Sequence, residues 1–134
     1  MTNRVTGTFE IKLTPQVPDE NAGDANIGRM LIDKQFHGEL EAASKGQMLA
    51  VGTEVKGSAG YVAMERVSGT LAGREGSFVL QHNGLMTRGE GQLTVVVVPD
   101  SGSGELVGLV GEMVIKIEDG KHFYEFEYTL VDKA

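Results

Sequence analysis

Apolar residues recur at every second position through much of this chain, and no segment carries the 3.6-residue apolar stripe of a helix with caps. The clearest instance is GEMVIKIEDGKHFYEFEYTL, residues 111–130. There Met113, Ile115 and Ile117 form one apolar row and Tyr124, Phe126, Tyr128 and Leu130 another. Successive side chains of a strand point to opposite faces, so such rows are strands with one buried face. Asp119-Gly120 between them suits a type I′ turn, which predicts a hairpin.

The same pattern runs through the rest of the chain. VTGTFEIKL (5–13) sets Phe9, Ile11 and Leu13 against Thr8, Glu10 and Lys12, and TPQVPDENAGDAN reads as a long loop. From Ile27 to Phe36, Met30, Ile32 and Phe36 share a parity that Lys34 interrupts. HGELEAASKG continues as a strand bending at Gly38 and Gly46, followed by a short apolar piece and a turn in MLAVGTEVKGSAG. YVAMERVSGTLAG is a long strand with Gly69 expected as a bulge, Arg74-Glu75-Gly76 is the expected turn, and SFVLQH is its hairpin partner. QLTVVVV (92–98) ends at Pro99, before a loop in PDSGSG. About eight strands in a meander of hairpins predict an all-β protein, a closed eight-stranded antiparallel barrel forming one domain over residues 1–134. A barrel of that size encloses packed side chains or one small ligand.

Composition narrows the function. A chain of 134 residues buries roughly two-thirds of its unfolded surface, enough for a core without staples. With no cysteine, disulfides, thiolate chemistry and sulfur-bound zinc are excluded. The formal charge of −7, with basic residues scattered singly, argues against nucleic acid and anionic membrane surfaces as partners. No leader pattern or long apolar run is visible, so the expected compartment is the cytoplasm. The three histidines are far apart in sequence and SGSGELVGLVG lacks the lysine of a phosphate-binding loop, so no metal or other cofactor is expected.

Three segments together, GYVAMERVSGTLAGREGSFVLQH (60–82), VVVVPDSGSGELVGLVG (95–111) and GKHFYEFEYTL (120–130), resemble a bacterial domain-of-unknown-function family, DUF3224. Its specific parts are GR-x-GSF-x-LQH and V-P-x-SG-x-GEL. The resemblance covers most of the chain after about residue 28. It implies an eight-stranded antiparallel barrel like that of allene oxide cyclase, and carries no established reaction.

The polar residues that interrupt apolar rows are the candidates for a site. Glu65 shares its parity with Tyr61, Ala63, Val67 and Leu71, whereas Arg66 sits with Val62, Met64, Ser68 and Thr70. The first row is the more apolar, which favours Glu65 inside. There its charge needs a cation or donor, which Arg74 or His82 could supply from the adjoining strand; the alternative is an outward Glu65 paired on the surface. In SFVLQH, bulk favours Phe78, Leu80 and His82 inside and Ser77, Val79 and Gln81 outside. Gln81 and His82 nevertheless both remain candidates for a polar spot in or beside the lumen. His82 could act as acid, base or ligand anchor, or be a satisfied structural group. His122, Tyr124, Phe126 and Tyr128 share a face, and tyrosine hydroxyls inside a barrel either orient a ligand or fill the core. Of four consecutive valines, Val96 and Val98 should point outward.

The leading expectation is a barrel binding a small, partly apolar molecule through Tyr61, Glu65, Arg74, Gln81, His82, Tyr124 and Tyr128. An isomerase or cyclase in which Glu65 or His82 moves a proton is the second. A ligand-free homo-oligomer using the outward valines is the third.

Overall fold

The structure, a computed structural model, describes residues 2–18 and 27–131. Among the described residues there are nine strands: β1 Asn3–Pro15, β2 Gly28–Gly38, β3 Leu40–Gly52, β4 Ala59–Leu71, β5 Arg74–Thr87, β6 Glu90–Val97, β7 Ser103–Gly104, β8 Leu109–Glu118 and β9 Lys121–Leu130. Among the described residues there is no helix. Of the loop expected over 14–26, Thr14 and Pro15 finish β1, and positions 19–26 lie outside the described residues. Every pairing is antiparallel, and the order β1-β2-β3-β4-β5-β6-β8-β9 returns to β1, closing an eight-stranded barrel. The two-residue β7 lies beside the start of β5. The seam between β6 and β8 is held by a single bridge, Val96 with Glu112, where the other ladders around the barrel run through seven or more pairs.

The period-two rows become the two faces of the wall. Val95 and Val97 are buried while Val96 and Val98 take the outer side, as alternation requires. Asp119 and Gly120 both have positive φ (50° and 76°), so the β8–β9 hairpin turns where expected. The β4–β5 turn does not. It lies at Ala72-Gly73 (φ 49° and 83°), and Arg74 and Glu75 already pair with Leu71 and Thr70. Gly69 is no bulge either, since the ladder runs through it without an inserted residue, opposite Ala42 and Gly76. A Cβ there would stand 2.6 Å from the Ala42 Cα, so this glycine serves close approach of two strands. Gly46, expected at a bend, sits mid-strand in an uninterrupted β3.

One end of the barrel is solid. Phe36, Val67, Leu71, Phe78, Leu80, Tyr124 and Phe126 are almost wholly buried, each worth roughly 1.5–3 kcal/mol in transfer from water. Phe78 stacks on Phe126 (5.7 Å between centroids) and Phe126 on Tyr128 (5.3 Å). The segment after β6 seals this end by inserting Leu106 and Leu109, each 1% exposed. It is stitched to β5. The Val79 amide donates to Ser101 Oγ (3.0 Å), the Ser77 amide to Ser103 Oγ (3.2 Å) and the Glu75 amide to Glu105 Oε1 (3.0 Å). The segments GR-x-GSF-x-LQH and V-P-x-SG-x-GEL are therefore one piece of architecture, the plug of the closed end and the strand it is tied to.

Candidate functional site

The other end is open. The inward positions of β3–β6 there carry small residues, among them Ala50, Ala63, Gly84 and Gly91, and a cavity of about 760 Å³ is left. That is the volume of a pocket for a small organic molecule. Its walls are mostly hydrocarbon, from Phe9, Ile11, Ile32, Met48, Leu93 and Ile115, and polar groups from Lys34, Tyr61, His82, Gln92 and His122 also reach it. Leu85, Leu93 and Ile117 stand at its mouth, strongly exposed.

At the floor, one inward residue from each of β2, β3 and β5 converges on Glu65 of β4. Gly46 lies directly opposite Glu65 in the ladder, and a Cβ there would stand 2.8 Å from the Glu65 Cβ. With no side chain in the way, the carboxylate spans β3 and reaches Lys34 on β2. Lys34 Nζ donates to Oε1 at 3.2 Å and lies 3.0 Å from Oε2 as an ion pair, and Ser44 Oγ donates to Oε2 at 3.4 Å. The side chains of Lys34 and Glu65 are 3% and 0% exposed, so this is a fully buried ion pair. The ammonium also lies 4.9 Å from the ring centre of Phe9 and 5.6 Å from that of Phe36, two faces that favour a cation.

The chain of polar contacts continues on β5. His82 Nε2 is 3.5 Å from Glu65 Oε1, near enough for charge attraction, yet it completes no hydrogen bond. The other ring nitrogen, Nδ1, is 3.2 Å from the Tyr61 hydroxyl. A bare Nε2 lone pair would be repelled by the carboxylate. We therefore place the ring proton on Nε2, leaving Nδ1 to accept from Tyr61. Burial alone would push the Glu65 carboxyl up. The approach of His82 and the charge of Lys34 outweigh it and hold the group below the ordinary carboxylate range. Burial, and then the Glu65 charge, push the Tyr61 phenol up, so its hydroxyl keeps its proton. Tyr61 itself is seated over Gly84, its ladder partner, where a Cβ would come within 2.8 Å of the ring.

Of the residues singled out from sequence, Tyr61, Glu65 and His82 come together here. Gln81 does not, because it lies on the outer face, exposed beside Met64 and Val96. Arg74 is exposed at the closed end. Leu80 is the ladder partner of Glu65, which puts Arg74 six residues away along β5, roughly 20 Å of strand. Tyr124 and Tyr128 are inward but belong to the closed end. The Tyr124 hydroxyl donates to the His37 carbonyl (2.9 Å) and accepts from the Leu40 amide (3.2 Å), pinning the β2–β3 turn. Lys34 and Ser44 are the participants not singled out, although the lysine interrupting the Met30, Ile32 and Phe36 row was their visible signal.

The model of the family described as "Protein of unknown function (DUF3224)" matches residues 5–128. The chain belongs to the DUF3224 family. A crystal structure of a protein of unknown function from this family, from Shewanella oneidensis MR-1, is 54% identical. The match covers 99% of this chain and 100% of that one, with a TM-score of 0.92. No curated protein matches the chain. The DUF3224 barrel is thus the shared architecture, and no helix among its described residues is long and apolar enough to cross a membrane.

Proposed function

We propose that this DUF3224 protein binds a small, uncharged, largely apolar molecule in the open end of its barrel, with the polar end of the ligand resting on Tyr61 and Lys34. The observation that carries this reading is the 760 Å³ hydrocarbon-walled cavity above a floor of buried polar groups. Core residues alone would fill such a space, as they do at the other end. The ligand is uncharged because Lys34 and Glu65 already neutralise each other, leaving no spare charge to offset that of an ion taken from water.

The test is fluorescence titration with 1-aminoanthracene, a neutral apolar dye. The wild type is expected to bind it with micromolar affinity. Ala50→Trp, which fills the cavity from a half-buried wall position, should abolish binding while leaving the melting temperature within about 3 °C. Equal affinity in both proteins would sink the reading.

A further inference from the structure

We propose that the Tyr61–His82–Glu65 chain is a proton relay, and that the barrel isomerises a small, uncharged, largely apolar carbonyl compound with an acidic C–H beside its carbonyl. This rests on the binding reading above and adds chemistry to it. Hydroxyl, imidazole and carboxylate stand in the order a relay needs, at 3.2 Å and 3.5 Å, and Tyr61 faces the cavity. Holding Glu65 ionised does not by itself call for the full arrangement, since Lys34 and Ser44 already contact both carboxylate oxygens. A buried imidazole with one nitrogen lacking a hydrogen bond weakens a fold, and a methionine or leucine would fill the position without that cost. A relay explains the idle nitrogen. When His82 takes up a proton its ring becomes cationic, and the long Nε2 contact to Glu65 tightens into a charge-assisted hydrogen bond.

The step balances without any co-reactant. The Tyr61 oxygen takes a proton from the carbon beside the carbonyl while its own proton passes to His82 Nδ1. The C–H bond breaks and its electron pair moves into a dienolate. Lys34, which lines the same cavity and donates one hydrogen bond to Glu65, has a donor left for the oxygen that gains charge. The proton then returns from Tyr61 to the γ-carbon, His82 restores the Tyr61 proton, and the double bond has moved into conjugation. Tyr61 is the catalytic residue, and His82 and Glu65 are positioning residues that act through it. The small wall at Ala63 leaves the substrate room, while Gly84 makes room for the Tyr61 ring itself.

The test uses cyclohex-3-en-1-one, whose conversion to the conjugated 2-enone is followed by absorbance, alongside displacement of 1-aminoanthracene. The ketone should displace dye from the wild type and be converted, carrying mostly the substrate's own α-proton to the γ-carbon even in D2O. Tyr61→Phe should lose roughly 100-fold in kcat, with KM and dye affinity weakened by no more than about tenfold. His82→Asn should likewise lower kcat and not KM, whereas a purely structural role would change dye affinity and kcat together. A wild type that binds the ketone without converting it overturns the relay and leaves the binding reading standing, and so does equal turnover by Tyr61→Phe. A ketone that fails to displace bound dye overturns the substrate class. A wild type that binds no dye defeats the binding reading, and the relay with it.

Discussion

The two ends of the barrel use the same strands and differ in what the inward positions carry. At the closed end they hold Phe36, Phe78, Tyr124 and Phe126, and the segment after β6 adds Leu106 as a plug. At the open end they hold Ala50, Ala63, Gly84 and Gly91, and nothing among the described residues fills the space between. A strand wall fixes where inward positions lie, and side-chain volume alone decides whether the lumen there is core or cavity. Between the halves sits the Lys34–Glu65 pair with His82. Hydrocarbon of similar volume would stabilise such a site as well or better. The molecule therefore concentrates stability at one end and polar chemistry at the boundary of the other.

The sharpest attempt to break this contrast is a pair of truncations. Phe126→Ala at the closed end should cost about 3–5 kcal/mol in urea denaturation, against about 0.5 kcal/mol or less for Leu93→Ala at the mouth. Similar losses would mean that the open end is as much a part of the core. Next comes the boundary. Lys34→Met leaves a buried carboxylate without its cation and should cost about 3–5 kcal/mol, while the double variant Lys34→Met/Glu65→Leu should recover most of that loss.

Acid addresses the same pair. Because the Glu65 carboxyl is held below its unfolded range, its contribution is present above the unfolded value of about 4.3 and is lost as pH falls through the folded one. Wild type should therefore lose stability below about pH 4 more steeply than Glu65→Gln, as read by thermal melts across pH. A smaller effect distinguishes the two tyrosines. Tyr124→Phe should cost about 1–2 kcal/mol by freeing the β2–β3 turn and leave dye affinity unchanged, since its hydroxyl bonds only to backbone. The smallest effect on stability is at the rim. Ile117→Ala should leave the melting temperature within about 2 °C yet weaken dye binding measurably, the reverse of the closed-end pattern.

Much of the wall was legible in the alternation, and part of the site with it. The more apolar row favours Glu65 inside over an outward, surface-paired Glu65, and bulk favours His82 inside; both are buried. Lys34 interrupts such a row in the same way, but a lysine reads as solvated unless a partner is known, and its partner lies 31 positions away across an intervening strand. Arg74 shows the opposite failure. It shares the inward parity of His82, yet parity says nothing of depth along the barrel, and it stands at the far end. The turn location mattered as well. A three-residue turn at 74–76 would put Leu85 opposite Glu65 and send the odd-numbered residues of β5 inward, against the bulk of Phe78 and Leu80. The two-residue turn at Ala72-Gly73 agrees with that bulk and brings His82 within reach of the carboxylate.

The sequence by itself determined that the chain is a wall of antiparallel strands and which side chains share a face, because facing is a local property that alternates along the backbone. Only the tertiary structure decided which inward residues meet and where the lumen stays empty. Those outcomes depend on register between strands distant in sequence, on the bare backbone of Gly46 and Gly84 opposite Glu65 and Tyr61, and on the summed volume of residues contributed by every strand.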